Sequence, residues 1–120
     1  MKDSASFRFS ADRQKFYVYT LLSLKDLHLY TGFTTDLYRR LQEHVRGLVA
    51  ATELRIPFKL VHYEYFVNET DARAREMYLK SAAGRKELQE KLNKTLRSYH
   101  NLPYNLQFSS HLSRKSTRGL

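Results

Sequence analysis

Apolar and polar positions along the chain follow first the spacing of strands and then that of helices. The run from Phe16 to Leu22 is aromatic, β-branched and aliphatic, which is typical of a strand. A mostly polar connection at 23–26 leads to a second short strand, predicted at about His28 to Phe33. The two strands together predict a hairpin.

A helix is predicted next, over about 35–46. Threonine and aspartate side chains at 34–36 are favoured N-caps, and an acidic residue suits a first turn. Gly47 is a typical helix stop. The apolar residues at helical spacing are Leu37, Leu41 and Val45.

A further strand is predicted from Phe58 to Val67. Its aromatic and aliphatic residues occupy both faces, as in a strand at the centre of a sheet. Asn68, with Asp71 three residues later, then indicates the start of a second helix.

Gly84 is predicted to interrupt this second helix, and a third helix to follow and to end before 101–103. The residues expected to share one face of the second helix are Ala72, Leu79 and Ala83. Those at four-residue spacing in the third helix are Leu88, Leu92 and Leu96.

The element order β-β-α-β-α-α predicts an α+β fold, a small three-stranded antiparallel sheet flanked by helices. One domain is expected over 15–100, since 120 residues are too few for two domains of ordinary size. Residues 1–14 are expected to form a flexible leader, and 101–120 a basic, mobile tail.

The chain is strongly basic. Its 21 Lys and Arg residues against 12 Asp and Glu give a formal charge of +9, which favours a polyanionic partner such as nucleic acid. The absence of cysteine excludes disulfides, thiolate zinc sites and cysteine nucleophiles, and fits a reducing interior. No apolar run approaches the roughly 20 residues of a membrane span, and residues 1–5 lack a secretory signal, so a cytoplasmic protein without membrane contact is expected.

Glu76 lies on the inward side of the second predicted helix. On a helical wheel of about 100° per residue it falls within the apolar face. A carboxylate there is costly unless it is paired, hydrogen-bonded or bound to a cation. A metal ligand and an ion pair both satisfy this requirement. The candidate partners for an ion pair are Arg73, Lys80 and Arg40.

Arg40 and His44 lie four residues apart and therefore project from the same side of the first helix. His44 is expected to face inward, with Arg40 at the edge of the apolar stripe. The arginine could clamp a phosphate oxygen, and the histidine could accept or relay a proton. The alternative is a buried histidine with one hydrogen bond, beside a solvated Arg40 paired with Glu43.

Tyrosines mark the two strands of the hairpin. Tyr17 and Tyr19 share one face of the first strand, and Tyr30 can lie beside Tyr19 on the second. Gly32 lacks a side chain, which would let a ligand approach the backbone. Taken singly, these tyrosines are packing or stacking aromatics, because a phenol with a pKa of about 10 is a poor base unless a cation lowers that pKa.

Together these residues resemble the GIY-YIG nuclease superfamily, and within it the small stand-alone bacterial branch. The pattern is Tyr-x-Tyr, ten intervening residues, Tyr-x-Gly, then Arg-x-x-x-His on the next helix and a helical Glu after the next strand. The resemblance spans about residues 15–98. Further matching stretches lie at 29–37, 39–44, 57–64 and 75–85.

The resemblance implies metal-assisted hydrolysis of phosphodiester bonds in DNA, with RNA not excluded as substrate. It implies that Glu76 ligates Mg²⁺ or Mn²⁺, that Arg40 holds the scissile phosphate, and that Tyr19 is a candidate proton acceptor. The catalytic residues it implies are Tyr19, Tyr30, Arg40, His44 and Glu76. Further nucleic-acid contacts are expected at Tyr17, Gly32, Arg39, Arg73, Arg75 and Lys80.

Two positions depart from the superfamily pattern. Tyr17 replaces the glycine of the first motif, as is usual in this branch, and Phe33 stands where DNA-repair relatives carry a lysine. Relatives gain specificity from additional DNA-binding domains, so a protein partner could supply it here. The alternative function is a nucleic-acid-binding module whose nuclease site is weak, vestigial or dependent on a partner.

Overall fold

A computed structural model describes residues 14–100, in which three strands form one sheet and four helices pack around it. The strands are β1 (Phe16–Ser23), β2 (Leu29–Thr34) and β3 (Phe58–Phe66). The helices are α1 (Leu37–Val45), α2 (Glu69–Leu79), α3 (Ala82–Lys91) and α4 (Asn93–His100), and a 3₁₀ turn spans Glu53–Arg55. This confirms the predicted fold class and element order, with one additional helix. The predicted leader, 1–14, and the predicted tail, 101–120, lie outside the described residues except for Gln14.

No helix within residues 14–100 has the length and apolar character needed to cross a membrane.

The sheet has the order β2-β1-β3, and β1 pairs antiparallel with both neighbours. The central strand is therefore β1, and the prediction that the third strand is central was wrong. Seven of the eight residues of β1 are buried, whereas Tyr63 and Tyr65 of β3 leave one face of that strand exposed. An edge strand with aromatic residues on its open face has the same sequence pattern as a central one.

The two faces of the sheet have different coverings. Helices α2 to α4 pack on what we call the core face, where their apolar residues meet alternate residues of β1. Helix α1 lies on the opposite face, which we call the site face, because its His44 contacts Tyr19 there. The buried residues of the core are Phe16, Val18, Leu22, Ala72, Leu79, Leu88, Leu92 and Leu96.

Helix α1 is fixed at both ends by its own backbone and side chains. The Asp36 carboxylate accepts a hydrogen bond from the Arg39 N–H at 3.1 Å and caps the first turn. At the other end, Gly47 adopts a φ of +74°, and the N–H groups of Gly47 and Leu48 donate to the carbonyls of His44 and Glu43. This Schellman motif confirms Gly47 as the helix stop and determines where the inward side of α1 points.

The break between α2 and α3 lies before the predicted glycine. Helix α2 starts at the Asn68 cap as predicted but ends at Leu79, and Ser81 caps α3 by accepting the Gly84 N–H at 3.2 Å. Gly84 therefore lies in the first turn of α3 and does not interrupt α2. Ala83 is exposed on α3 and is not part of the α2 face, contrary to prediction.

The predicted third helix is two helices. Leu92 leaves helical geometry at φ −101° and ψ 19°, and α4 begins at Asn93. Leu88, Leu92 and Leu96 nevertheless all reach the core, as their four-residue spacing predicted. The predicted end of this region, at 101–103, lies outside the described residues.

Candidate active site

Tyr19 and His44 form the buried centre of the site. Each side chain is 1% exposed, and the Tyr19 hydroxyl lies 2.8 Å from His44 Nε2. Tyr19 comes from the central strand and His44 from the inward side of α1, so the packing of α1 on the sheet brings them together. The inward orientation predicted for His44 is thereby found.

Thr52 holds the other side of the His44 ring. His44 Nδ1 lies 2.8 Å from Thr52 Oγ1, and the Thr52 hydroxyl donates to the Val49 carbonyl at 3.4 Å. A hydroxyl has one proton to donate, so Thr52 accepts from Nδ1–H and leaves Nε2 as an acceptor for the Tyr19 O–H. His44 thus has two hydrogen bonds, where the simpler alternative expected one. Sequence reasoning missed Thr52, because it lies outside every periodic segment and carries no motif.

The two buried groups are neutral at physiological pH. Burial, together with the nearby Arg40 cation, lowers the pKa of His44 from 6.5 to about 4. Burial also raises the pKa of the Tyr19 phenol, against a hydrogen bond from Arg40 that lowers it. The resting pair is therefore a protonated tyrosine donating to a neutral imidazole.

Gly32 makes room for Tyr19. The two residues are paired across β1 and β2, and a Cβ at position 32 would overlap the hydroxyl and Cζ of Tyr19. The space above this glycine, predicted to admit a ligand, is filled by the Tyr19 ring. The glycine of the Tyr-x-Gly motif is thus required for the second tyrosine of the Tyr-x-Tyr motif to pack.

Tyr30 borders the same histidine. Its ring centroid lies 5.7 Å from that of His44, with the planes at 65°. The electrostatic influence of Tyr30 raises the pKa of Tyr19, so the two phenols share one environment. Tyr30 is half-buried, which leaves part of it accessible at the rim.

Arg40 lies at the mouth of the site with 35% of its side chain exposed. It donates to Glu43 Oε1 at 2.8 Å, which is the ion pair that the alternative reading of α1 expected. Its positive charge also lowers the pKa of the Tyr19 phenol, however, which places Arg40 between the solvent and the buried pair. A guanidinium has five N–H donors, so the contact with Glu43 leaves others for a phosphate.

Glu76 is 16% exposed on α2 and accepts a hydrogen bond from Lys80 Nζ at 2.8 Å. This is one of the ion pairs anticipated for it. Its negative charge raises the pKa of Tyr19, which places it in the same electrostatic environment. Lys80 is 49% exposed, and an exposed pair one helical turn apart contributes little stability, so another cation can displace it.

The donor set around Glu76 suits a hard divalent ion that keeps most of its waters. No group of three or more His, Asp or Glu side chains within residues 14–100 is arranged to enclose a metal. Mg²⁺ characteristically binds through one or two carboxylates and takes the remaining ligands from water and substrate phosphate. A single, mostly buried carboxylate at the rim is consistent with this mode.

Comparison with known proteins agrees with this geometry. The model of the GIY-YIG catalytic domain matches residues 15–93. The chain belongs to the GIY-YIG family. The predicted resemblance is confirmed, and the domain is of the nuclease type.

The relatives are small GIY-YIG proteins carrying the family name UPF0213. One from Clostridium perfringens is 43% identical over 74 residues, covering 61% of this chain and 78% of the relative. One from Haloquadratum walsbyi is 43% identical over 74 residues, covering 61% of this chain and 82% of the relative. The solution NMR structure of a UPF0213 protein from Bacillus halodurans is 35% identical, with a TM-score of 0.42, covering 63% of this chain and 83% of that one.

Besides Lys80, two of the basic residues predicted around the GIY-YIG site are exposed. Arg39 is 56% exposed and shares Glu43 with Arg40. Arg73 is also 56% exposed, and its guanidinium lies 4.0 Å from the centre of the Phe33 ring. Arg73 therefore places a cation beside Phe33.

Arg75 lies elsewhere in the GIY-YIG domain. Its guanidinium donates to Glu64 at 3.0 and 3.1 Å and to Glu87 at 2.6 Å, tying β3, α2 and α3 together. These pairs raise its pKa and occupy three of its five N–H donors. Because two carboxylates neutralise its charge, Arg75 is not among the proposed substrate contacts.

Tyr17 lies on the site face next to β3. Its ring packs against Tyr63 and Tyr65, with centroids 6.0 and 5.6 Å away. These neighbours are 52% and 41% exposed, so the cluster is open to solvent beside Tyr19. A nucleobase could stack on such a surface.

Proposed function

We propose that this GIY-YIG protein is a divalent-metal-dependent endonuclease that hydrolyses phosphodiester bonds in DNA, including structured or single-stranded DNA. The observation that carries the proposal is the Tyr19 to His44 hydrogen bond at 2.8 Å, in the electrostatic reach of the Arg40 cation and the Glu76 carboxylate. The formal charge of +9 suits a polyanionic substrate.

Glu76 would hold Mg²⁺ or Mn²⁺ after release of Lys80. The bound ion would supply Lewis-acid polarisation of the phosphate and stabilise the leaving oxygen. Arg40 would bind a non-bridging phosphate oxygen through its free donors and offset the charge that develops in the transition state.

The hydrogen-bond chain defines a path for the proton. Tyr19 would accept a proton from the attacking water as it passes its own proton to His44 Nε2. The imidazolium that forms keeps its Nδ1–H on Thr52. In the free protein Arg40 lowers the pKa of His44. A phosphate bound to Arg40 would offset that charge and make the imidazole a stronger base when substrate is present.

The test is cleavage of plasmid, single-stranded and branched DNA, and of RNA, with Mg²⁺ or Mn²⁺. We expect the wild type to cleave DNA and Glu76→Gln to be at least about 100-fold slower, since it loses the metal ligand. Glu69→Gln is the matched control, because it removes an exposed carboxylate from the same helix. Equal background cleavage by wild type and Glu76→Gln on every substrate would refute the proposal.

The Glu76 to Lys80 ion pair favours one alternative, a nucleic-acid-binding module whose nuclease site is weak or needs a partner. In that case a protein partner would have to displace Lys80 and supply specificity. Salt-sensitive binding that Glu76→Gln leaves unchanged, without cleavage in either metal, would support this alternative.

A further inference from the structure

A groove runs along the outer side of β2, away from the catalytic centre. It consists of two adjoining cavities of about 190 and 500 Å³, which share Leu29 and Arg85. Tyr30 and Lys80 line the end nearest the site, and Arg97 lines the far end on α4. The groove thus connects the rim of the active site to the last described helix.

The ionised side chains that line the groove are all cationic. No aspartate or glutamate is among the described residues that line either cavity. The Arg85 guanidinium donates to the Lys80 carbonyl at 3.4 Å, and within residues 14–100 neither Arg85 nor Arg97 has a carboxylate partner. Elsewhere Arg39, Arg73 and Arg75 are each paired with a glutamate. Two exposed guanidinium groups without a carboxylate partner in the described part of the chain therefore line one channel.

The position of the groove relates it to the reaction. Lys80 is the partner of Glu76, and Tyr30 contacts the His44 ring, so the near end adjoins the residues proposed to bind the scissile phosphate. Because β2 is an edge strand of the described sheet, no further strand within residues 14–100 covers that side. A nucleic-acid strand that extends from the catalytic centre past Tyr30 would enter the groove directly.

We propose that this groove binds the sugar-phosphate backbone of the substrate strand on one side of the scissile phosphate. The inference rests on the proposed nuclease function only for the alignment of the bound strand with the catalytic centre. The cationic lining of the groove does not depend on that function. Guanidinium forks match phosphate oxygens, and neutral Gln89 and Asn93 in the lining can hydrogen-bond the backbone without reading bases. The groove supplies affinity that depends on substrate length and is independent of sequence.

The test uses Arg85→Gln/Arg97→Gln in the Glu76→Gln background, so that binding is measured without cleavage. Affinity for single-stranded oligonucleotides of increasing length is measured over a range of salt concentrations. We expect the salt slope to fall by about 1.4, or about 0.7 for each lost phosphate contact. The affinity gained with length in the parent should be largely lost in the variant. Lys86→Gln/Lys94→Gln is the matched control, since it removes the same charge from exposed positions of the same helices outside the groove.

The outcomes separate this inference from the nuclease proposal. If the wild type cleaves DNA and the arginine and lysine variants bind alike at every length, the groove inference fails while the nuclease proposal survives. If the arginine variant alone loses binding but no protein cleaves, the groove inference survives and the nuclease proposal fails. A third outcome is that the parent protein binds anionic phospholipid vesicles and the arginine variant does not, while both bind oligonucleotides equally. That outcome would assign the groove to membranes and overturn the inference.

Discussion

The His44 imidazole is hydrogen-bonded on both sides, by the Tyr19 hydroxyl and by Thr52. The contact with Thr52 determines which ring nitrogen of His44 carries the proton. It therefore also determines whether Tyr19 can donate its hydroxyl proton to His44. Thr52 does not touch the reacting atoms, so it is a positioning residue. It lies in a loop, and its role depends entirely on where α1 packs.

Thr52→Val tests this role, since valine keeps the shape and removes the hydroxyl. The buried Nδ1–H would lose its acceptor, at a cost of about 1–3 kcal/mol in the free energy of unfolding. The proton would then favour Nε2, and we expect kcat to fall by about 10- to 100-fold, the range for losing a group that orients a functional histidine. The ¹⁵N shifts of the His44 ring report the tautomer directly.

Thr52→Ser is the control for the valine variant, because it retains the hydroxyl. Serine should keep the wild-type tautomer and most of kcat. If valine and serine give the same ring shifts and the same kcat, Thr52 has no positioning role.

Sequence reasoning predicted where three of the candidate residues lie. Helical spacing correctly predicted that His44 faces inward and that Arg40 lies at the edge of the apolar stripe of α1. The helical wheel placed Glu76 within the apolar face of α2, where its side chain is 16% exposed, although the wheel used Ala83, which belongs to another helix. The sequence could not reveal Thr52, because its partner is chosen by tertiary packing.

The helices begin where local side chains cap them. Asp36, Asn68 and Ser81 each accept a backbone N–H three residues ahead. Such local hydrogen bonds are readable in a sequence, and two of the three were read correctly. The Ser81 cap was missed because Gly84, a few residues later, is the stronger sequence signal for a break.

Gly84 is required by close packing of α3 on the end of α2. A Cβ there would collide with the Tyr78 carbonyl and the Leu79 Cα, both backbone atoms that cannot rotate away. Gly84→Ala should therefore destabilise the protein by about 1–3 kcal/mol or more, although alanine favours a helix interior by about 1 kcal/mol. Urea denaturation measures the change.

Gly47→Ala provides the comparison for Gly84. No atom lies within 4 Å of a Cβ at Gly47, so only its φ of +74° opposes the substitution. The expected cost is about 1–2 kcal/mol. A Gly84→Ala protein as stable as wild type would show that α2 and α3 are not packed as described.

At the scale of the whole molecule, burial of His44 couples the fold to pH. Its pKa is about 4 in the folded protein and near 6.5 in the unfolded chain. Between these values the unfolded state binds more protons, so the free energy of unfolding rises with pH. The contribution is complete above about pH 6.5 and disappears as pH falls towards 4.

We expect the wild type to lose on the order of 3 kcal/mol of stability between pH 6.5 and 4 from this residue alone, the value of the pKa shift in free energy. Urea denaturation at several pH values measures it, and the His44 ring resonances report the titration. His44→Gln is the reference, because it cannot titrate. If wild type and His44→Gln lose the same stability above about pH 5, where most carboxylates are still ionised, His44 is not held neutral by burial.

The sequence by itself determined the α+β class, the approximate positions of the strands and of α1, and the inward placement of His44. These features depend on local periodicity and helix capping, which are determined by residues close together in the sequence. The tertiary structure alone decided that β1 is central, that Tyr19 fills the space above Gly32, and that Thr52 hydrogen-bonds the His44 ring. Strand order and the Tyr19 contacts join different elements of the fold, and the Thr52 contact depends on the path of the loop after α1, so no local sequence pattern specifies them.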